Sequence, residues 1–485
     1  MLHYVDFIII ALYLAGTITV GIVFRGRQQN AGDYFTAGRG MKSVFQSLMV
    51  GLSIAAALFS GVSFLSYPSV VYSHGIMIIL ALITFPICWL VLRFWFLPRF
   101  LRADVKYPYD IIEQKLGPNI RTLAAGTYML LRIGWMATLI YAPTIAILAA
   151  ANLSDNWFWP VVLTIGLTCT SYTTFGGIRG LIITDAIQFV VIVLGILITC
   201  CFILYRLPVS FSEMFADLRS SGALTLFDFS PAPTKMLTFW SIIIGVTAAN
   251  VCTYTADQMS LQRYLAAGSR RSADRSFAFN TIGAMVVVTL LVLVGIAVRS
   301  WYHYVPDPAL PQMADKVFPY FIASQLPGGI AGLVLAALLA ATVTSMNGGI
   351  NALAATATID FRMRLGKKLT PHGELRFGRI VSMIIGLAAT LAAGLVGFFG
   401  TIFDISLTVL GLFLGPLFLC IFFSVTDIPV NRKSLAVGMI TGVFAGGMAV
   451  RLSWSSLWVT PVTLLTGFAL TLIGTFIFGP DKPAV

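Results

Sequence analysis

Charge is scarce in this sequence. Asp, Glu, Lys and Arg make up 10% of its 485 residues, against about 25% in a soluble globular chain. Hydrophobic residues take 58%. A soluble domain cannot bury that much apolar surface, because part of its folded surface stays exposed at any size. Soluble enzymes, disordered chains and disulfide scaffolds are thereby excluded. Histidine is scarcer still, with four copies. His74 and His303 fall at segment ends, and no span holds the clustered His, Asp or Ser–His groups that a membrane enzyme needs. A catalytic role is therefore not expected. The six cysteines all fall in apolar segments without metal-ligand spacing, and read as small buried hydrophobes. Residues 1–24 contain no Lys or Arg, so the positive region that opens a signal peptide is lacking.

Long apolar runs are what the sequence has instead. Thirteen segments are long enough to cross a bilayer as helices, each needing about 20 residues: 5–24, 44–72, 76–97, 122–150, 157–175, 180–204, 237–262, 277–299, 328–358, 379–399, 403–425, 434–450 and 459–479. This predicts an all-α polytopic membrane protein of one domain, 1–485. Basic residues test the topology. With the N-terminus outside, 24 of the 31 Lys and Arg fall in inner loops. Arg206, Arg219, Lys235, Arg299, Lys316 and Arg451 fall outside, and Arg132 lies within a span. That bias matches the rule that cytoplasmic loops are positive and puts the C-terminus in the cytoplasm. It also places the net charge of +12 at a membrane face, so nucleic acid is not an expected partner. Two outer loops, 205–236 and 300–327, are long enough to cap something.

A few residues are costly in lipid. Asp185, in Thr-Asp-Ala-Ile-Gln (184–188), suits a cation or proton site. Arg132, about ten residues into its span, needs a carboxylate from the protein, such as Asp185, or from a solute. Asp257 is expected to pair with Arg263 or to cap a helix break. Two segments, 52–63 and 340–351, combine small residues with hydroxyls. They serve either close helix packing or a sodium site, where carbonyls freed at a helix break join hydroxyl oxygens around a hard cation.

Together these segments resemble the sodium:solute symporter family over nearly the whole chain. The most specific pieces are Gly176-Gly177-Ile178-Arg179 leading to Thr184-Asp185-Ala186-Ile187-Gln188, and Asp257-Gln258-Met259-Ser260-Leu261-Gln262-Arg263-Tyr264-Leu265. The serine-rich helix with Pro68 and Tyr72 and the stretch 341–351 complete the resemblance. Ile140-Tyr141-Ala142-Pro143 looks like the branch of monocarboxylate, vitamin and iodide carriers, and sialic-acid carriers are close relatives. The resemblance implies a LeuT-type core of two five-helix inverted repeats, 44–204 and 237–425. One extra helix, 5–24, precedes them and two, within 434–479, follow.

The resemblance also implies sites. The main sodium site takes carbonyls of Ala56, Phe59 and Ala341 and hydroxyls of Thr344 and Ser345. A second sodium or proton site would use Asp185, Thr344, Ser345 and Asn347, but Gly348 stands where a further hydroxyl is needed. The solute pocket maps to Leu58, Ser60, Ser63, Trp135, Asn250, Thr253 and Tyr254, with Arg132 one turn from Trp135. The carboxylate-binding arginine of the sialic-acid carriers falls at Trp135, so the anion partner is either shifted or absent. The expected function is a sodium-coupled symporter, working as a single chain in the cell membrane among lipid, that imports a small polar organic solute. An organic acid is preferred. A sodium- or proton-coupled carrier of a neutral sugar or amino acid, and a transporter-fold sensor, are the alternatives. The sensor is disfavoured because no signalling domain follows the last span.

Overall fold

The computed structural model of the chain describes residues 2–24, 41–362, 370–398, 400–426 and 428–481, with the side chains of 18, 20–24, 172–179, 360–362, 371, 372, 374 and 375 left out. Several basic inner-loop residues, among them Arg25, Arg27, Arg39, Arg179, Lys367 and Lys368, lie outside that description, as do the side chains of Gly176-Gly177-Ile178-Arg179. The described residues form helices and connecting turns, with no strand among them. In hydrocarbon a helix satisfies its own backbone groups, which is why so apolar a chain adopts this state.

The helices run in order. α1 is Tyr4–Phe24, α2 Val44–Leu58 and α3 Gly61–His74. α4 is a composite span, Ile76–Arg102, that passes through 3-10 and π turns. α5 is Asp110–Leu116, α6 Pro118–Ala150, α7 Phe158–Arg206 and α8 Phe211–Ser220. α9 is Thr247–Ala256, α10 Gln258–Ala267, α11 Arg270–Tyr304 and α12 Ala314–Gln325. α13 is Ile330–Ala355, α14 Pro371–Val396, α15 Ile402–Val425, α16 Arg432–Arg451 and α17 Val459–Phe478. Among the described residues, nine helices are long and apolar enough to cross a membrane, and the bent pair α2–α3 makes a tenth. Shorter apolar helices cover Tyr4–Thr17 and Ser241–Ala256. Each of the thirteen predicted segments overlaps helix among the described residues, although 157–175 and 180–204 share the 49 residues of α7.

Two interruptions shape the interior. A capping box of Ser43 and Gln46 starts α2. The helix ends at Leu58 because Phe59 and Ser60 are extended, and Ser60 then caps α3 by accepting from the Ser63 amide. The two halves meet at 61°. Asp257 is likewise extended, and its carboxylate caps α10 at the Met259 amide, 2.9 Å away. The α9 end is closed by the Tyr109 hydroxyl, which donates to the Ala256 carbonyl at 3.0 Å.

α13 is apolar all round and almost wholly buried, as expected of a central helix. It packs on α7, α1, α6, α14, α2 and α3. Small residues let it approach: a Cβ on Gly195 of α7 would stand 2.6 Å from the Ala337 Cβ. α1 is pinned to its start. The buried Asp6 carboxylate accepts from the Gly329 and Gly332 amides, each at 2.7 Å, and from the His3 amide. α12, within the predicted cap 300–327, inserts the buried Asp315. That carboxylate accepts from Ser69 Oγ of α3 at 2.8 Å and from the Ile402 amide of α15 at 3.0 Å. Outward-facing phenylalanines such as Phe398, Phe444 and Phe476 are fully or largely exposed, which suits lipid and not water.

Candidate functional site

The carbonyls at the end of α2 have lost their next-turn donors, and α13 supplies replacements. Thr344 Oγ1 donates to the Ala56 carbonyl at 2.8 Å and lies 2.9 Å from the Ala341 carbonyl. Ser345 Oγ donates to the Ala57 carbonyl at 2.8 Å. All five residues are buried. Four of the five residues expected around sodium, Ala56, Ala341, Thr344 and Ser345, thus meet at one place, together with the Ala57 carbonyl. Five neutral oxygens in a dry site fit a hard monovalent cation once the hydroxyl protons turn away. No group of three His, Cys, Asp or Glu that could hold a metal occurs among the described residues, so the donor set is not one for a transition metal.

The side chains next to this break line a cavity of 140 Å³. Leu58, Ser63, Arg132, Trp135, Asn250, Thr253 and Tyr254, all expected from the sequence, are in its wall. Ser60 is not, since its side chain is buried and spent on the Ser63 amide. Asn250 is held in place by donating to Thr84 Oγ1 at 2.9 Å. Sequence reasoning missed Tyr67, Phe85 and a fourth wall from α15, where Phe403, Ser406, Leu407 and Leu410 face the cavity.

The costly charges are paired, but in the opposite sense to expectation. Arg132 bonds Asp257, not Asp185, and its Nε donates to the Tyr128 hydroxyl at 3.1 Å. Tyr128 in turn donates to Asp257 Oδ1 at 3.1 Å. One end nitrogen of Arg132, Nη1, has no hydrogen bond among the described residues. Arg263 pairs with Asp185, not with Asp257. Its Nη2 reaches Oδ2 at 2.9 Å, and Ser53 Oγ bridges the two at 2.7 and 2.9 Å. Both pairs are almost wholly buried. Gly348 lies against this second pair: a Cβ there would stand 3.3 Å from Arg263 Nη2 and 3.0 Å from Met259 Cγ.

A sequence model of the sodium:solute symporter family matches residues 34–442. The chain belongs to the sodium:solute symporter family. It is 28% identical to the sodium-coupled monocarboxylate transporter 1 of Mus musculus, over 91% of this chain and 71% of that protein. It is 27% identical to the sodium/sialic acid symporter NanT of Aliivibrio fischeri, over 97% of this chain and 90% of that one. The fold superposes on a substrate-bound, outward-open Na+-coupled sialic acid symporter with a TM-score of 0.88 at 24% identity, covering 99% of this chain and all of that one. This symporter is thus a multi-pass membrane protein with Na+ as its coupling ion and a small organic solute as cargo. The oxygen cluster at Ala56, Ala57, Ala341, Thr344 and Ser345 is a donor set that could hold such an ion.

Proposed function

We propose that the protein imports a small organic acid of monocarboxylate size, one sodium ion at a time, by alternating access. The observation that carries this reading is the shared break. The carbonyls of Ala56 and Ala57, which face Thr344 and Ser345, and the cavity residues Leu58 and Phe59 belong to the same turn of chain. A sodium ion drawing Thr344 and Ser345 onto those carbonyls fixes the angle between α2 and α3, and with it the cavity wall. An inside-negative potential adds about 2.3 kcal/mol per charge per 100 mV.

Size supports a monocarboxylate over a sialic acid. At 140 Å³ the cavity is below the range of about 300–1,000 Å³ typical of drug-sized ligands. Arg132 Nη1 offers a charged donor, with the hydroxyls of Ser63, Ser66 and Thr253 around it. A single ion per cycle is supported by Arg263. Its guanidinium answers Asp185 and lies over Gly348, so a positive charge is already fixed where a second ion would need to sit. Thirteen spans with the N-terminus outside, two inverted repeats each opening on a broken helix, and a single chain as the working unit complete the reading.

The Arg132–Asp257 pair favours a second reading, a neutral solute, because the protein already compensates the guanidinium. Proteoliposome uptake separates the two. Sodium-dependent lactate uptake that ignores competing glucose and proline is expected. Uptake of a neutral sugar or amino acid, unaffected by organic acids, reverses the preference. Equal uptake in potassium or choline buffer under a pH gradient makes the carrier proton-driven.

A further inference from the structure

A second cavity, larger than the central one, lies apart from it. A volume of 510 Å³ opens where α3 and α11 end and α8 crosses them, and it shares no wall residue with the central cavity. The Lys and Arg distribution assigns this end to the outer face, where basic residues are sparse. Arg299 nevertheless lines it, half-buried. Its Nη1 donates to the Tyr72 carbonyl at 2.6 Å, and no carboxylate pairs with it among the described residues. Arg132 and Arg263 each have one. The acid in the same wall, Asp217, is engaged by the Tyr304 hydroxyl. Next to Arg299, Ser300 is 2% exposed, lines the cavity, and has an Oγ without a partner. A buried hydroxyl left unpaired costs about 1–3 kcal/mol, a cost removed by a ligand that accepts from it.

We propose that this outer cavity is a second anion site, in which Arg299 and Ser300 take the carboxylate of the same organic acid that the central-site reading assigns as cargo. A guanidinium with free donors beside a hydroxyl presents the fork that a planar carboxylate matches. The acid is held there by hydrogen bonds alone, with no covalent step.

Equilibrium binding of radiolabelled lactate and sialic acid to the purified full-length chain, in sodium, tests this. Two molecules of one probe per chain are expected at saturation. Arg299→Ala should bind one, with the remaining affinity within about twofold, which also shows that the variant is folded. Arg299→Lys should keep two, the second about tenfold weaker because the fork is lost. Ser300→Ala should weaken the second by a similar factor. One molecule per chain, lost in Trp135→Ala and untouched by Arg299→Ala, overturns the outer site alone. Two molecules in Arg299→Ala overturn it as well. No binding of either probe overturns the organic-acid reading and the outer site together.

Discussion

Among the described residues, Arg132, Asp257, Arg263 and Asp185 form two buried ion pairs, and their pairing sets what substitution does. Arg132→Gln leaves Asp257 buried beside Tyr128 without its cation. Breaking such a pair costs about 3–5 kcal/mol, so a large fall in melting temperature is expected whatever solute is present. Adding Asp257→Asn should recover most of it, since Asn still accepts from the Met259 amide. Adding Asp185→Asn should not. Melting curves of the four proteins decide this, and equal recovery by either second change would contradict the observed pairs. Thr344→Ala and Ser345→Ala each remove an oxygen from the ion site. A hydrogen-bond partner to a charged group is worth about 1.5–3 kcal/mol, so the sodium concentration for half-maximal uptake should rise about tenfold or more. An unchanged sodium requirement in both would place the ion elsewhere. The swapped pairs were not legible in the sequence. Asp257 and Arg263 look like neighbours, but six residues on a helix of 3.6 residues per turn put two side chains on different sides.

The elements were more legible than their interruptions. Apolar length located the long helices, because lipid demands runs of about 20 residues, although among the described residues nine helices and one bent pair pass as spans. The break at Phe59 and Ser60 lies in a stretch whose hydroxyls and small residues suit either close helix packing or a sodium site, so the residues alone left it open and the family resemblance pointed to it. The cavity face of α15 was not signalled. Its stretch 402–425 is largely apolar, so Leu407 and Leu410 read as lipid-facing or core alike. Nor did composition show that the loop before α13 would fold into α12 and join α3 to α15 through one carboxylate. Asp315→Ala should leave Ser69 Oγ and the Ile402 amide unpaired, at about 1–3 kcal/mol. A lowered melting temperature with sodium binding retained is the expected result. A variant as stable as the parent would mean that water takes over both donors.

At the scale of the whole molecule, sidedness and stoichiometry are the quantities to measure. Single cysteines at Ser73 and Pro308 should label from outside, and one at Ser434 only from inside; the reverse at any site breaks the thirteen-span reading. Gly366, the other inner loop position of interest, lies outside the described residues. The sodium dependence of uptake should have a Hill coefficient near one. A value near two that Asp185→Asn abolishes would show that Arg263 yields its place to an ion. The clamp of Asp6 on the start of α13 has a consequence for synthesis. Its partners lie 323 residues later in the chain. At about 5–20 residues per second, that carboxylate is made roughly 16–65 s before Gly329 leaves the ribosome. The oxygens facing Ala56 follow a similar delay of 288 residues. Until then the first helix has α7, with Gln188 donating to the Tyr13 hydroxyl, as its native neighbour, and the ion site cannot form before α13 is made.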